Sequence, residues 1–148
     1  MKVEYREYEK TDFLKLALLS DDNCRVNHYN IASSLRQGTN DVEKCILAVE
    51  EETIIGYIYG FVLPNGTLLP EFLYVLPEYR RHGIGEKLLR TLEENYGCSS
   101  SMIFYNKELH DYYKKLGYIS GENLEVAMKY ISVVNAEEGE DKIDEIQL

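Results

Sequence analysis

Leu73-Tyr74-Val75-Leu76-Pro77-Glu78-Tyr79-Arg80-Arg81-His82-Gly83-Ile84-Gly85 is the stretch on which the reading of this chain turns. An apolar run ends at Leu76, two arginines and a histidine follow, and two glycines open the next segment. In that segment Ile84, Leu88, Leu89, Leu92 and Tyr96 fall on one helical stripe, with Glu86, Lys87, Arg90, Glu93 and Glu94 off it. A strand therefore runs through a short basic turn into a long amphipathic helix.

A helix N-terminus presents unpaired backbone N–H groups and the positive end of the helix dipole, which suits an anion. Glycines there let a phosphate approach the backbone where a Cβ would obstruct it. Arg80 and Arg81 add charge, so a pyrophosphate is a natural ligand. A glycine-softened helix start with solvated arginines fits the same residues. R-x-x-G-x-G is neither a Walker loop, which needs G-x-x-x-x-G-K-[ST], nor the three-glycine dinucleotide fingerprint.

Upstream, Val3 and Tyr5 alternate with charges as in a first strand. Thr11 or Asp12 can cap a helix carrying Leu14, Ala17 and Leu18 on one face. Asp21-Asp22-Asn23 breaks that pattern, and a second helix with Val26, Ile31 and Leu35 apolar runs to about Arg36, stopped by Gly38. Residues 42–50 and 53–63 read as strands joined by a Glu51-Glu52 hairpin turn. Pro64-Asn65-Gly66 leads to a third run over 68–76. Downstream, 101–105 reads as a short strand. Asn106 caps a helix with Leu109, Tyr112, Tyr113 and Leu116 inward, and 124–133 reads as a last strand. The order is β-α-α-β-β-β-α-β-α-β, a mixed sheet of α/β (α+β) class with helices on both faces.

The 148 residues suit one compact domain, 1–133, followed by an acidic tail, 134–148. Apolar residues are 45% and charged ones 28%, the proportions of an ordinary globular protein. A net charge of −10 argues against non-specific nucleic-acid binding and favours cationic ligands. Half of that excess sits in the tail, where Glu137, Glu138, Glu140, Asp141, Asp144 and Glu145 face Lys142 alone. Cys24, Cys45 and Cys98 form no C-x-x-C pair and no metal-ligand spacing, so free thiols in a reducing, cytoplasmic setting are expected, with no metal. Met1-Lys2-Val3-Glu4-Tyr5 has no apolar run, so no signal segment is expected, and the longest apolar run, 54–63, is too short for a membrane span.

The run from Tyr74 to Gly85, followed by Leu88-Leu89, resembles motif A of the GCN5-related N-acetyltransferases. Asn106 with Tyr112-Tyr113-Lys114-Lys115-Leu116-Gly117-Tyr118 resembles that family's motif B, N-x-x-A-x-x-F-Y-x-x-x-G-F. The resemblance covers residues 72–118 closely and agrees with the element order upstream. It implies an acetyl-CoA-dependent enzyme. The backbone of Tyr74, Val75 and Leu76 would pair with the pantetheine arm. The amides of Arg81, His82, Gly83, Ile84 and Gly85 would hold the pyrophosphate, aided by Arg80, and Asn106 would also touch the cofactor. Tyr113 takes the place of the tyrosine that protonates the departing thiolate, although a core role fits its apolar stripe equally. Glu71, which strand alternation places on a face with Leu73 and Val75, is the candidate base; a solvated edge residue is the plainer alternative. Leu109 departs from the motif-B alanine.

The acceptor is less legible. In the family the loop between the first two helices helps to select the substrate, and here it offers Asp21 and Asp22, then Asn23, Arg25, Asn27 and His28. Aspartates there suit a small cationic amine of aminoglycoside or polyamine type, or simply cap a helix. A protein or peptide acceptor, and a non-catalytic acyl-CoA-binding module, are the alternatives. No membrane or nucleic-acid partner is expected, and a homodimer is left open.

Overall fold

A computed structural model describes residues 1–20, 23–38 and 41–131. The chain divides into a larger unit, Met1–Ile103, and a smaller one that begins at Phe104. The larger unit holds a mixed sheet in the order β1-β2-β3-β4-β5, formed by Glu4–Glu7, Glu43–Glu50, Thr53–Val62, Thr67–Val75 and Ser100–Ser101. The first four strands are antiparallel to their neighbours, and β5 runs parallel to β4. Its helices are α1 (Phe13–Ala17), α2 (Arg25–Gln37) and α3 (Ile84–Asn95). The class is the α/β mixed sheet expected. No helix among the described residues is long and apolar enough to cross a membrane.

The β2–β3 hairpin turns at Glu51 and Glu52, which take φ +46 and +68, the left-handed pair that a two-residue hairpin requires. Both strands are buried almost continuously, from Cys45 to Val49 and from Ile54 to Tyr59, because helices cover both faces. Tyr57 stands opposite Leu47 and packs on His28 of α2. Lys44, three residues from Leu47 and so on the other face, lies over the Tyr96 ring beyond α3. Ile84, Leu88, Leu89 and Leu92 of α3 are all buried, the stripe expected from the sequence. Each such side chain contributes about 1.5–3 kcal/mol by leaving water.

The first helix departs from its expected phase. Leu14 and Leu18 are 66% and 72% exposed, while Leu16, Ala17 and Leu19 are buried. Asp12 sets the phase. Its carboxylate accepts both guanidinium nitrogens of Arg6 at 2.8 Å and the Glu9 N–H at 2.8 Å, and Arg6 holds it below the usual carboxylate range. With Asp12 drawn inward in a 3₁₀ turn, Leu16, four residues on, follows it to the same side. In α2 the buried residues are His28 and Ala32, and Val26 is exposed.

Beyond Ser101 the expected fifth strand stops. Met102 donates one further hydrogen bond to the Leu68 carbonyl, and residues 102–105 form no ladder. The smaller unit contains a 3₁₀ turn, Lys107–Leu109, and α4 (His110–Lys115). Residues 124–131 carry no strand, a correction to the last element expected, and 132–133 lie outside the described residues, as does the tail, 134–148. Alternation marks one apolar face, but a strand also requires a neighbouring backbone to pair with, which alternation cannot supply.

The β3–β4 ladder skips one residue: Tyr59 faces Phe72, Gly60 faces Pro70, and Glu71 is left as a bulge. Gly60 makes room for it, since a Cβ there would come within 2.7 Å of the Leu69 carbonyl oxygen. Gly60→Ala should therefore destabilise the protein by about 1–3 kcal/mol, as overpacking does. The expected readout is a lower urea midpoint at unchanged slope.

Candidate active site

The turn after β4 begins with a 3₁₀ segment, Pro77–Tyr79, where proline at the first position presets the backbone. Arg81 then adopts φ +65 and Gly83 φ +77. The left-handed region costs a residue with a Cβ roughly 1–2 kcal/mol, so Arg81 is held there against its preference. His82 Nδ1–H donates to the Arg80 carbonyl at 2.8 Å, fixing the inner side of the loop. A carbonyl can only accept, so this nitrogen carries the proton.

Gly83 caps α3, and the first helical bond in the turn runs from the Lys87 N–H to the Gly83 carbonyl. The amides of Ile84, Gly85 and Glu86 therefore have no acceptor within the helix. Those of Arg81, His82 and Gly83 donate to no backbone carbonyl among the described residues. A Cβ built on Gly83 would meet nothing within 4 Å, so the space beside this backbone is open. Consecutive amides without backbone acceptors, a helix dipole and two arginines are features that suit an anion, inside an acidic chain.

Beside it runs the free edge of β4. β5 pairs with β4 only at Thr67 and Leu68. Leu76 N–H donates to the Ile55 carbonyl at 2.8 Å, and Tyr74 faces Tyr57 two residues earlier. In an antiparallel ladder the polar backbone groups of alternate residues point the same way. Those of Tyr74 and Leu76 are therefore spent on β3, while those of Leu73 and Val75 point to the open side. Of the three residues expected to present backbone here, Val75 alone does so, joined by Leu73. Val75 carbonyl accepts from Arg80 Nε at 2.8 Å.

The bulge changes the surroundings of Glu71. Alternation put it with Leu73 and Val75, but the skipped register breaks that parity, and its charge acts instead on the Tyr59 hydroxyl. Tyr59 donates to the Glu43 carboxylate, as does Ser34 of α2. Glu71 keeps solvent contact, yet the protein around it raises its carboxyl above the ordinary value by desolvation. Behind these groups lies an aromatic floor. His28 Nδ1 and the Tyr57 hydroxyl are 2.6 Å apart, and the His28 ring meets those of Phe72 and Tyr74 edge-on at 6.2 and 4.5 Å. His28 is thus core, not an acceptor-loop ligand. Asp21 and Asp22 lie outside the described residues.

Glu43, Tyr59, Ser34 and Leu73 escaped the sequence reading. Pro70 inside the third run was the available signal, since a proline within a strand marks an edge or a bulge.

In the smaller unit Asn106 sits in extended backbone before the 3₁₀ turn, and its side chain makes no capping bond. The two adjacent tyrosines separate clearly. Tyr112 is 38% exposed, Tyr113 only 1%. The Tyr113 ring stacks on Tyr105 with centroids 4.9 Å apart and meets Tyr112 and Tyr118 edge-on. Burial, then the neighbouring Tyr112 and Tyr118, push its hydroxyl well above the usual tyrosine range, so it holds its proton firmly. Tyr112 does not point inward as expected.

Residues 41–120 match the family described as acetyltransferase (GNAT) domain. The thialysine N-epsilon-acetyltransferase of Sus scrofa is 30% identical, over 77% of this chain and 72% of its own length. Among solved structures, AAC(6')-Iy in complex with the bisubstrate analog CoA-S-monomethyl-acetylneamine superposes with a TM-score of 0.66 at 18% identity, covering 88% of this chain and 99% of that one. A ribosomal-protein-alanine N-acetyltransferase from Brucella melitensis biovar Abortus 2308 superposes with a TM-score of 0.68 at 16% identity, covering 87% and 100%. At those identities the structural likeness speaks to the fold, which agrees with the mixed sheet found here. With both motifs inside the matched segment, the chain belongs to the GNAT acetyltransferase family.

Proposed function

We propose that this protein transfers an acetyl group directly from acetyl-CoA to a primary amine on a small cationic molecule. The observation that carries the reading is the row of amides at residues 81–86, without backbone partners, beside the open backbone of Leu73 and Val75. The turn fits a pyrophosphate, and the edge fits an amide-bearing arm that adds to the sheet as a strand would. Bound there, the thioester would supply an activated acyl carbon and a sulfur leaving group.

The chain's own residues supply the rest. Arg80, Arg81 and the amides of His82, Gly83, Ile84 and Gly85 hold the diphosphate, and Asn106 offers a further polar contact. Glu71, with its raised carboxyl, accepts the proton that the attacking amine sheds, directly or through water. Tyr113 gives the proton that the departing sulfur takes. A thiol near 8.5 and an unperturbed tyrosine near 10 make full transfer uphill by about 2 kcal/mol. Burial of Tyr113 adds to that cost. Its hydroxyl therefore acts as a donor while the bond breaks and does not release its proton beforehand. Cys45 is buried with its thiol pushed far up, which argues against an acyl-cysteine there.

Support for a cationic acceptor comes from Glu43 and Glu71, whose charges both act on Tyr59, from a relative named for thialysine, and from a fold neighbour bound to a CoA-acetylneamine bisubstrate analog. Asp21 and Asp22 belong to the same proposal. A reducing, cytoplasmic setting accords with three free cysteines.

Acetyl-CoA at millimolar concentration should raise the melting temperature by mass action, and an amine screen read by thiol release should then identify the acceptor. No thermal shift would count against the whole reading. Gly83→Val should abolish the shift, because a branched residue resists φ +77 and fills the open space beside the amides.

Tyr113→Phe keeps the packed ring and removes only the hydroxyl. Its melting temperature and CoA affinity should stay near wild type while kcat falls roughly 100- to 10,000-fold. Tyr112→Phe, on the exposed neighbour, should change the rate little. Near-full activity in Tyr113→Phe would assign the proton to another source.

For Glu71 the sign follows from the requirement that a base be ionised. As pH falls through its raised pKa, kcat/KM should drop, and the drop should begin above the ordinary glutamate value of about 4.3. Glu71→Gln should lower the rate and remove that acid limb. A limb that persists in the variant belongs to another group.

A further inference from the structure

Arg80 stands between the two halves of the proposed site and engages one of them already. Its Nε–H donates to the Val75 carbonyl at 2.8 Å, and its guanidinium carbon lies 5.7 Å from the centre of the Tyr74 ring. That carbonyl is an acceptor on the part of β4 left open where β5 departs. The arginine is exposed, and no carboxylate pairs with it among the described residues. Immediately after it in sequence comes the amide-lined turn. One cation therefore blocks an edge acceptor and stands next to an anion site.

We infer that Arg80 is a selectivity latch, which frees the Val75 carbonyl for a pantetheine arm only when a diphosphate in the adjoining turn draws the guanidinium away. The inference rests on the acetyl-CoA reading and adds to it a coupling between two contacts. An arginine bonds a diphosphate more strongly than a neutral carbonyl, since both partners are then ionised. The side chain is in solvent and needs no repacking to move. With a diphosphate present, the acceptor on the edge becomes free as the ligand arrives. An acyl carrier with pantetheine but no diphosphate offers nothing to draw Arg80 off, and its amide must compete with the guanidinium for Val75. The latch thus selects thioesters of intact coenzyme A over thioesters of pantetheine alone, by excluding the second class and not merely by adding contacts to the first.

The test uses coenzyme A and pantetheine as probes, titrated separately by calorimetry into wild type and Arg80→Met. Methionine retains an unbranched stem against Tyr74 and removes both the donor and the charge. Coenzyme A should bind the variant about tenfold more weakly or worse, through loss of a charge-assisted contact. Pantetheine should bind it roughly three- to tenfold more tightly, the equivalent of one net hydrogen bond no longer competing. These opposite signs distinguish a latch from an arginine that only braces the strand, whose loss would weaken both ligands. Pantetheine affinity that is unchanged, weaker, or undetectable in both proteins overturns the latch. If wild type fails to bind coenzyme A at all, the acetyl-CoA reading itself falls, a result visible before any variant is compared. A melting temperature close to wild type verifies that Arg80→Met is folded.

Discussion

Past Leu68, β4 continues while its neighbour β5 stops pairing with it, and the backbone groups of Leu73 and Val75 point to the side β5 has left. Backbone N–H and C=O groups are costly to leave without partners, so an edge of this kind is either wetted, covered or used. Arg80 already covers one of its acceptors. The remainder of the larger unit is arranged so that this opening can exist at all. β1 to β4 form a tight antiparallel block, and the Ser99 N–H to Gly66 carbonyl bond ties the start of β5 to the turn before β4. The two strands are pinned together at one end and free at the other.

Two local devices tune what the opening presents. The bulge at Glu71, made possible by Gly60, reverses the parity of β4 partway along. The residues that pair with β5 at its start and those that face the gap near its end can thus lie on the same edge. Gly56 permits a second close approach, where a Cβ would sit 2.8 Å from the Tyr74 carbonyl oxygen. Below the strand, His28 and Tyr57 lock the aromatic floor by a short hydrogen bond, so Tyr74 and Phe72 are supported from α2.

Charge is organised locally, against the global balance. The chain carries −10 overall, yet the turn into α3 gathers two arginines, a helix dipole and a run of amides. Glu43 and Glu71 stand together at Tyr59, where a cation would be favoured. Desolvation acts on both residues proposed to handle protons. It raises the Glu71 carboxyl toward the range in which a base is effective, and it keeps the Tyr113 hydroxyl protonated.

Elements whose cause is local could be read from the residues alone. The Glu51-Glu52 and Pro64-Asn65-Gly66 turns, the buried stripe of α3 and the glycine start of that helix all follow from spacing and backbone preference within a few residues. The amide-lined turn was legible for the same reason, because its amides belong to one continuous segment. Other features depend on contacts between residues far apart in the chain. Asp12 reaching Arg6 rotated α1 away from its apolar pattern, and a skipped pairing between Tyr59 and Phe72 moved Glu71 from the side of Leu73 to that of Tyr59. Tyr113 could not be told from Tyr112 by a stripe that admits both; their different burial separates them. Val75, not Tyr74 or Leu76, faces the open edge because the ladder to β3 uses the other two, and a ladder register is a property of two strands together.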